Sequence, residues 1–274
     1  QCQSEYSVKN SLVRVSKLID SVKEAGMTSV ALTDDMSLFS AIKFYQRATS
    51  AGIKPIIGAK ISVDFDLGHY DVLLLCQNHE GYLNLSELIS KAYLNEQGIS
   101  IVSVTEEQLI SHQKGLLMIA TPINSDISQL LLTNELELAH TKAKNWQGIF
   151  NDRYYLSAQR TDRHSDENLL NLTIELGLKL NIPVVATNDV QFLRKSDFDA
   201  HEARICIAEG GLLDDSRRLK IFSDSQYLKT ADEMSELFKD YPLLLANATE
   251  VAKRCNLHFK LFEKNYLPAF PTPK

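Results

Sequence analysis

The feature that most constrains the fold of this chain is a regular alternation of strand-like and helix-like segments. Short runs rich in β-branched and aliphatic residues, each followed by apolar residues at helical spacing, recur at least six times. The clearest strand-like runs are TSVALTD, KPIIGAKISVDF, YDVLLLCQ, GLLMIAT, RYYLSAQ and IPVVATND. Such alternation is typical of α/β proteins with a parallel sheet, either open or closed into a barrel. The number of units, with a further strand fragment at residue 1, favours the barrel.

Composition limits the partners that this chain can bind. It has 274 residues and a formal net charge of −6, with an isoelectric point of about 5.7. Proteins that grip nucleic acid carry clustered lysine and arginine, so we expect little direct nucleic-acid binding. The four cysteines form no Cys-x-x-Cys pair, and the longest apolar runs are too short to span a bilayer. These features predict reduced thiols and a cytoplasmic protein without a membrane segment.

Polar residues that could carry chemistry stand at the ends of the predicted strands, where parallel α/β folds collect their functional groups. They are Gln1, Gln3, Asp34, Asp35, Ser157, Gln159, Asn188, Asp189 and Gln191, and Lys60 and Asp71 lie in or beside the two strands after the second helix. The run TDD before a helix is also a common capping arrangement, and that alternative stays open. The histidines lack metal-site spacing, and the chain has no GxxxxGK[ST], GxGxxG or GxSxG motif. The glycine of IIGAK is interpreted as part of a turn or cap. The residues alone therefore predict an α/β barrel without a convincing active site.

Several ordered segments resemble one known family. SEYS, MTSVALTDD, AGIKPIIGAK, NHEGYLNLSELISKAY, IPVVATNDVQF, DFDAHEARICIAEGG and ANATEVAKRCN follow one another as in the amino-terminal PHP (polymerase and histidinol phosphatase) domain of bacterial DNA polymerase III alpha subunits. The resemblance covers essentially the whole chain. It implies a distorted seven-stranded (βα) barrel, similar to a TIM barrel, over residues 1–264, with the first strand truncated at its start. Residues 265–274 are then expected to be a proline-rich linker toward downstream polymerase domains of the same chain.

The resemblance also implies a metal site that has lost most of its ligands. Metal-binding members of the family begin with His-x-His, and those two positions carry Gln1 and Gln3 here. The other metal-site positions correspond to Asn10, Asp34, Asp35, Lys60, Asp71, Ser157, Asp189 and Gln191. Among them, Asp34 and Asp189 keep the residue expected in the family, while Asp35 and Asp71 still offer oxygen atoms. No catalytic residue is assigned, and the ten positions are interpreted as vestigial.

Lys60 is the replacement with the largest chemical consequence. It stands where the family carries a glutamate, and it brings an ammonium group into a pocket built for a cation, where like charges repel. We therefore expect no resident cofactor, with a weak divalent metal at Asp34, Asp35 and Asp189 as the alternative. We hypothesise that Lys60 pairs with Asp35, Asp71 or Asp189, which converts a metal cluster into an internal ion-pair network.

Three functions remain open from the sequence. The resemblance implies a non-catalytic scaffold within a DNA-directed DNA polymerase, which stabilises that subunit and docks the separate proofreading exonuclease subunit. The alternative is a metal-dependent phosphoesterase or 3′–5′ exonuclease with a residual metal site, the chemistry of intact family members. A stand-alone metabolic barrel is less favoured, because the chain is expected to be a piece of a longer protein.

Overall fold

The structure is a computed structural model that describes residues 1–65, 68–95, 102–215, 217, 221–261 and 263. The predicted linker at residues 265–274 lies outside them. The strands are β1 (Ser29–Asp35), β2 (Lys54–Phe65), β3 (Gly68–Cys76), β4 (Val104–Thr105), β5 (Leu116–Ala120), β6 (Tyr154–Ala158) and β7 (Val184–Ala186). The strands predicted from the sequence coincide with β1, β2, β3, β5, β6 and β7.

Helices follow most of the strands, as the alternation predicts. They are α1 (Val15–Glu24), α2 (Ala41–Ser50), α3 (His79–Asn95), α4 (Glu106–Ser111), α5 (Asp126–Leu132), α6 (Leu136–Phe150), α7 (Asp166–Leu180), α8 (Phe198–Glu209), α9 (Ala231–Leu237) and α10 (Pro242–Arg254). Within the described part of the chain, none of them combines the length and the apolar character needed to cross a membrane.

The sheet is mixed, which corrects the parallel orientation expected from the sequence. Its strands follow the order β1-β2-β3-β5-β6-β7, and β4 pairs with β2. β3 is antiparallel to both β2 and β5, whereas the pairs β1–β2, β5–β6 and β6–β7 are parallel. The physical reason is the short connection between Phe65 and Gly68. A parallel crossover needs about a dozen residues, so this connection permits only a hairpin.

The opening residues join the two edges of this curled sheet. The Thr33 amide of β1 donates a hydrogen bond to the Cys2 carbonyl at 2.8 Å, and Cys2 forms a parallel bridge with Val190, which follows β7. The Gln3 amide donates to the Val190 carbonyl at 3.3 Å, and the Val190 amide donates to the Gln1 carbonyl at 3.2 Å. The strand fragment predicted at residue 1 is thus a short bridge, and it gives the sheet the form of a distorted TIM-like barrel.

The two faces of the sheet have different roles because successive side chains of a strand point to opposite sides. One face packs against the surrounding helices in the main hydrophobic core. On the other face, a smaller apolar cluster packs against α10; its members are Ile56, Leu73, Leu75, Leu117, Ile119, Tyr155, Val185, Val251 and Cys255. Lys60, Asp71 and Asp189 each lie an even number of residues along the chain from a member of this cluster, so the alternation of side chains places them on the same side as the cluster. The alternation of the strands therefore places the polar residues in a layer above the apolar cluster.

Candidate functional site

A cavity of about 680 Å³ opens at this polar layer. Seven of the ten predicted positions line it: Gln1, Gln3, Asn10, Lys60, Asp71, Asp189 and Gln191. Its other walls include Thr121, Asn124, Gln159, Arg163 and Phe222. Asp34, Asp35 and Ser157 do not line it. The structure therefore brings most of the predicted positions together, but it gives the remaining three different surroundings.

Lys60 lies between two carboxylates on the neighbouring strands. Its Nζ atom is 3.6 Å from Oδ1 of Asp35 on β1 and 3.4 Å from Oδ2 of Asp71 on β3. The side chains of Lys60 and Asp71 are 17% and 14% exposed, whereas that of Asp35 is 36% exposed. Of the three partners hypothesised for Lys60, the structure therefore provides Asp35 and Asp71 as direct ion-pair partners.

The surroundings of Lys60 favour its charged form. Burial by itself lowers the pKa of Lys60, but the carboxylates of Asp71, Asp35 and Asp189 outweigh it and leave this pKa above the ordinary value of 10.5. Burial raises the pKa of Asp35, Lys60 offsets only part of that increase, and the neighbouring Asp71 carboxylate adds to it. Lys60 is therefore charged, and Asp35 is the more distant and the more exposed of its two partners.

The substitution Asp71→Asn is expected to destabilise the fold more than Asp35→Asn. Asp71 lies closer to Lys60 and also accepts hydrogen bonds from Ser62 Oγ at 3.2 Å and Asn124 Nδ2 at 3.0 Å. Weakening these charge-assisted bonds costs roughly 2 kcal/mol. Asp35→Asn resembles the protonated form that burial already favours, so its cost is smaller. Urea unfolding measures the free energy of unfolding of both variants. An equal loss in the two variants, or a larger loss in Asp35→Asn, would contradict this assignment.

Asp34 is buried away from the cavity in a cluster of serines, and the residue is only 1% exposed. Its Oδ1 atom accepts hydrogen bonds from the Ser4 amide at 2.6 Å and from Ser7 Oγ at 2.8 Å. Its Oδ2 atom accepts from Ser4 Oγ at 2.8 Å and from Ser40 Oγ at 2.5 Å. Donors from the opening loop and from the start of α2 thus occupy both oxygens. Asp34 anchors the opening segment to β1 and offers no oxygen to the cavity.

Asp189 lies in the cavity wall among glutamine amides. Its Oδ1 atom accepts hydrogen bonds from Nε2 of Gln1 at 3.1 Å and from Nε2 of Gln191 at 2.8 Å, and its Oδ2 atom accepts from Nε2 of Gln226 at 3.0 Å. Gln226 is fully buried, and its Oε1 atom accepts from Arg163 at 3.1 Å. Sequence reasoning missed Gln226, because this residue lies in an irregular segment and belongs to no motif.

The other predicted positions make local contacts. Asn10 Nδ2 donates a weak hydrogen bond to Asp35 Oδ2 at 3.4 Å. The Oε1 atom of Gln3 is buried and has no hydrogen-bond partner within the described ranges. Ser157 donates from Oγ to a backbone carbonyl of β5 at 2.5 Å. Two residues further along, Gln159 lines the cavity instead, so this strand contributes an amide to the wall and no carboxylate.

His201 supports the cavity wall from behind. It is fully buried beside the rings of Phe192 and Phe222, and its Nε2 atom lies 2.7 Å from the Asn10 carbonyl. Because a carbonyl can only accept, the hydrogen bond assigns the proton of the neutral ring to Nε2. Burial lowers the pKa of His201 below 6.5, against smaller opposing effects that include the Asn10 hydrogen bond. The native state therefore favours a neutral imidazole at this position.

We expect the stability of the protein to decrease as the pH falls below 6.5. In that range the unfolded chain binds a proton at this histidine while native His201 stays neutral, so acidification favours unfolding. The variant His201→Gln keeps a donor for Asn10 but does not titrate, and its stability should depend less on pH. Thermal unfolding on both sides of pH 6.5 measures the difference. Parallel profiles for the wild type and the variant would contradict the prediction.

The side chains at this site do not match the metal ligands of intact members of the family that the sequence resembles. Across the ranges that the structure describes, no group of three or more His, Cys, Asp or Glu residues is arranged to hold a metal ion. The carboxylate of Asp34 accepts hydrogen bonds from serines, and that of Asp189 accepts them from glutamine amides. The Lys60 ammonium lies beside the carboxylates of Asp35 and Asp71. An ammonium at that position repels a second cation.

Comparisons with known proteins match the chain to a domain family and to longer proteins. Residues 1–161 match the family model described as PHP domain. The chain is 42% identical over 273 residues to the DNA polymerase III subunit alpha of Pseudomonas fluorescens, and 39% identical over 272 residues to that of Escherichia coli K12. Each match covers 98% of this chain but 23% of the relative. The chain thus spans about a quarter of the length of these curated relatives.

A solved structure with a similar fold is an amidohydrolase from Chromobacterium violaceum. It superposes with a TM-score of 0.53 at 10% sequence identity, over 74% of this chain and 95% of that chain. At this level of identity the likeness concerns the fold alone. It agrees with the curled α/β sheet described above and with the distorted barrel expected from the sequence.

Proposed function

We propose, on the premise that this chain belongs to the PHP domain family, that it forms a non-catalytic part of a DNA polymerase III alpha subunit and serves DNA replication. Its role is that of a structural scaffold, and it offers a docking surface to the separate proofreading exonuclease subunit. Polymerase activity belongs to other parts of the subunit, since the chain corresponds to 23% of the length of the relatives. The proposal includes a cytoplasmic location, as for the replicase as a whole.

The observation that carries the non-catalytic half of the proposal is the position of Lys60. Metal-dependent hydrolysis of a phosphate ester needs clustered ligands that hold metal ions and activate a water molecule. Here the ammonium of Lys60 lies 3.6 Å from a carboxylate oxygen of Asp35 and 3.4 Å from one of Asp71, so it occupies the space between the two carboxylates that a metal ion would need. The net charge of −6 supports little direct contact with nucleic acid, so a protein partner is favoured over a DNA substrate.

Phosphoesterase assays test the absence of catalysis. Purified protein is incubated with p-nitrophenyl phosphate, and separately with primer 3′ ends, in the presence of added Mn²⁺. We expect no turnover above the level of a matched preparation of the Asp189→Ala variant. Activity that the wild type has and Asp189→Ala lacks would overturn the non-catalytic role, whereas activity common to both preparations is contamination.

Titration with the exonuclease subunit tests the docking half independently. We expect a complex of defined stoichiometry in size-exclusion chromatography with light scattering. Failure to bind would remove docking from the proposal. It would leave the structural role, which the unfolding measurements test separately.

A further inference from the structure

The register of the sheet aligns three charged residues across three adjacent strands. Asp35 of β1 is the direct partner of Lys60 in the β1–β2 pairing. In the β2–β3 pairing, Asp71 lies opposite Ser62, two residues along from Lys60 and therefore on the same face of the sheet. Direct and diagonal neighbours on one face are the positions at which side chains of a sheet interact. The backbone itself therefore directs Lys60 between the two carboxylates.

The oxygens of both carboxylates also receive donors from loops. Asn10, in the loop after the opening segment, donates to Asp35 Oδ2 at 3.4 Å, and Asn124, in the loop after β5, donates to Asp71 Oδ2 at 3.0 Å. The Asp71 amide in turn donates to the Asn124 carbonyl at 2.7 Å. Through these contacts, one ammonium group connects β1, β2 and β3 with two loops of the cavity wall.

We propose that the Lys60 ammonium is a tethered structural cation, which holds the carboxylates of β1 and β3 together in place of a bound metal ion and excludes such an ion. The inference deepens the non-catalytic role proposed above. It rests on that role in one respect, because it assumes that the cavity performs no metal-dependent chemistry. A covalently attached cation needs no metal supply, and its single positive charge offsets one of the two negative charges of Asp35 and Asp71. An ammonium group carries a lower charge than a divalent ion. Hydrogen bonds from Asn10 to Asp35 and from Asn124 to Asp71 therefore add to the stabilisation of the two carboxylates.

Two further features support exclusion of a metal ion by Lys60. Its Nζ atom lies 3.6 Å from Asp35 Oδ1 and 3.4 Å from Asp71 Oδ2, so a second cation that bound both carboxylates would lie beside the ammonium. Asp189, the third carboxylate that acts on Lys60, already accepts three glutamine donors. A divalent ion would have to displace those donors and approach a fixed positive charge at the same time.

Thermal unfolding with and without divalent cations tests the proposal. The wild type is measured in EDTA, in Mg²⁺ and in Mn²⁺, ions that prefer the oxygen ligands available here. We expect the same unfolding midpoint in all three conditions. The variant Lys60→Met removes the charge but keeps an unbranched chain, so we expect its midpoint to fall by several degrees and to recover partly in Mn²⁺, because Asp35 and Asp71 are then free to bind it.

A matched control comes from Lys229, a buried lysine that lies over the ring of Tyr227 at 4.6 Å and donates to the Asn188 side chain and the Ser225 carbonyl rather than to Asp35 or Asp71. We expect Lys229→Met to gain no response to Mn²⁺, whatever its own unfolding midpoint. A wild-type midpoint that rises in Mn²⁺ or falls in EDTA would overturn the proposal, and so would a Lys60→Met variant as stable as the wild type. If Lys60→Met does not fold, the wild-type measurements still decide whether a metal ion is excluded. They measure stability rather than turnover, so this proposal and the proposed function can fail independently.

Discussion

Replacing Asp34 by alanine is expected to lower the free energy of unfolding by about 4 kcal/mol, because it leaves several buried donors without an acceptor. The carboxylate accepts four hydrogen bonds, from the amide and hydroxyl of Ser4 and from the hydroxyls of Ser7 and Ser40. Ser4 and Ser7 belong to the segment that joins β1 to the chain after β7. Loss of Asp34 therefore weakens both the local cluster and the closure of the sheet.

The variant Asp34→Asn is the matched control for this prediction. It keeps the shape of the side chain and one acceptor oxygen, but it turns an NH₂ group toward serine donors, so we expect an intermediate loss of stability. Urea unfolding measures both free energies, and limited proteolysis reports whether residues 1–13 become accessible. An Asp34→Ala variant with the stability of the wild type would show that the serine cluster contributes nothing to the fold.

Replacing Gly58 by alanine is expected to cost about 3 kcal/mol, at the upper end of the range for overpacking a core. A Cβ atom at this position would lie 2.3 Å from the Leu74 carbonyl oxygen and 2.6 Å from a methyl group of Leu75. The first contact is with backbone, so it can be relieved only if β2 and β3 separate. Because Lys60 and Asp71 are diagonal neighbours on the same two strands, the substitution should also disturb their ion pair.

Gly148→Ala provides the control for Gly58→Ala. Gly148 lies within α6, and nothing lies within 4 Å of a Cβ added there. Alanine is the better helix former by up to about 1 kcal/mol, so this variant should be as stable as the wild type or slightly more stable. Thermal and urea unfolding of the two variants measure the contrast. Equal stabilities would contradict the close approach of β2 and β3 at Gly58.

The close approach at Gly58 also shows where sequence interpretation was wrong. The glycine of IIGAK was expected to mark a turn or cap, but it lies inside β2, where the absence of a side chain lets β3 approach. Apolar runs identify strands well, because they report burial on both faces, yet they do not encode direction. The orientation of β3 depends on the length of its connection to β2, which is too short for a parallel crossover.

The candidate site was predictable to a similar degree. The family resemblance grouped Lys60, Asp71 and Asp189, and the structure places all three at one cavity. Strand-end position accounts only for Asp189, because Lys60 lies inside β2 and Asp71 near the start of the antiparallel β3. The consecutive Asp34 and Asp35 could not be separated in this way. They point to opposite faces of β1, so one binds serines and the other Lys60. No pattern in the sequence distinguishes these two environments.

Metal analysis of the purified protein tests the central claim most directly, which is that Lys60 stands in place of a metal ion. The full chain is dialysed without chelator, and zinc, manganese and iron are quantified by mass spectrometry against the protein concentration. We expect each metal well below one equivalent per chain, with no increase after incubation with Mn²⁺ and a second dialysis. One or more tightly bound equivalents of any of these metals would contradict the claim.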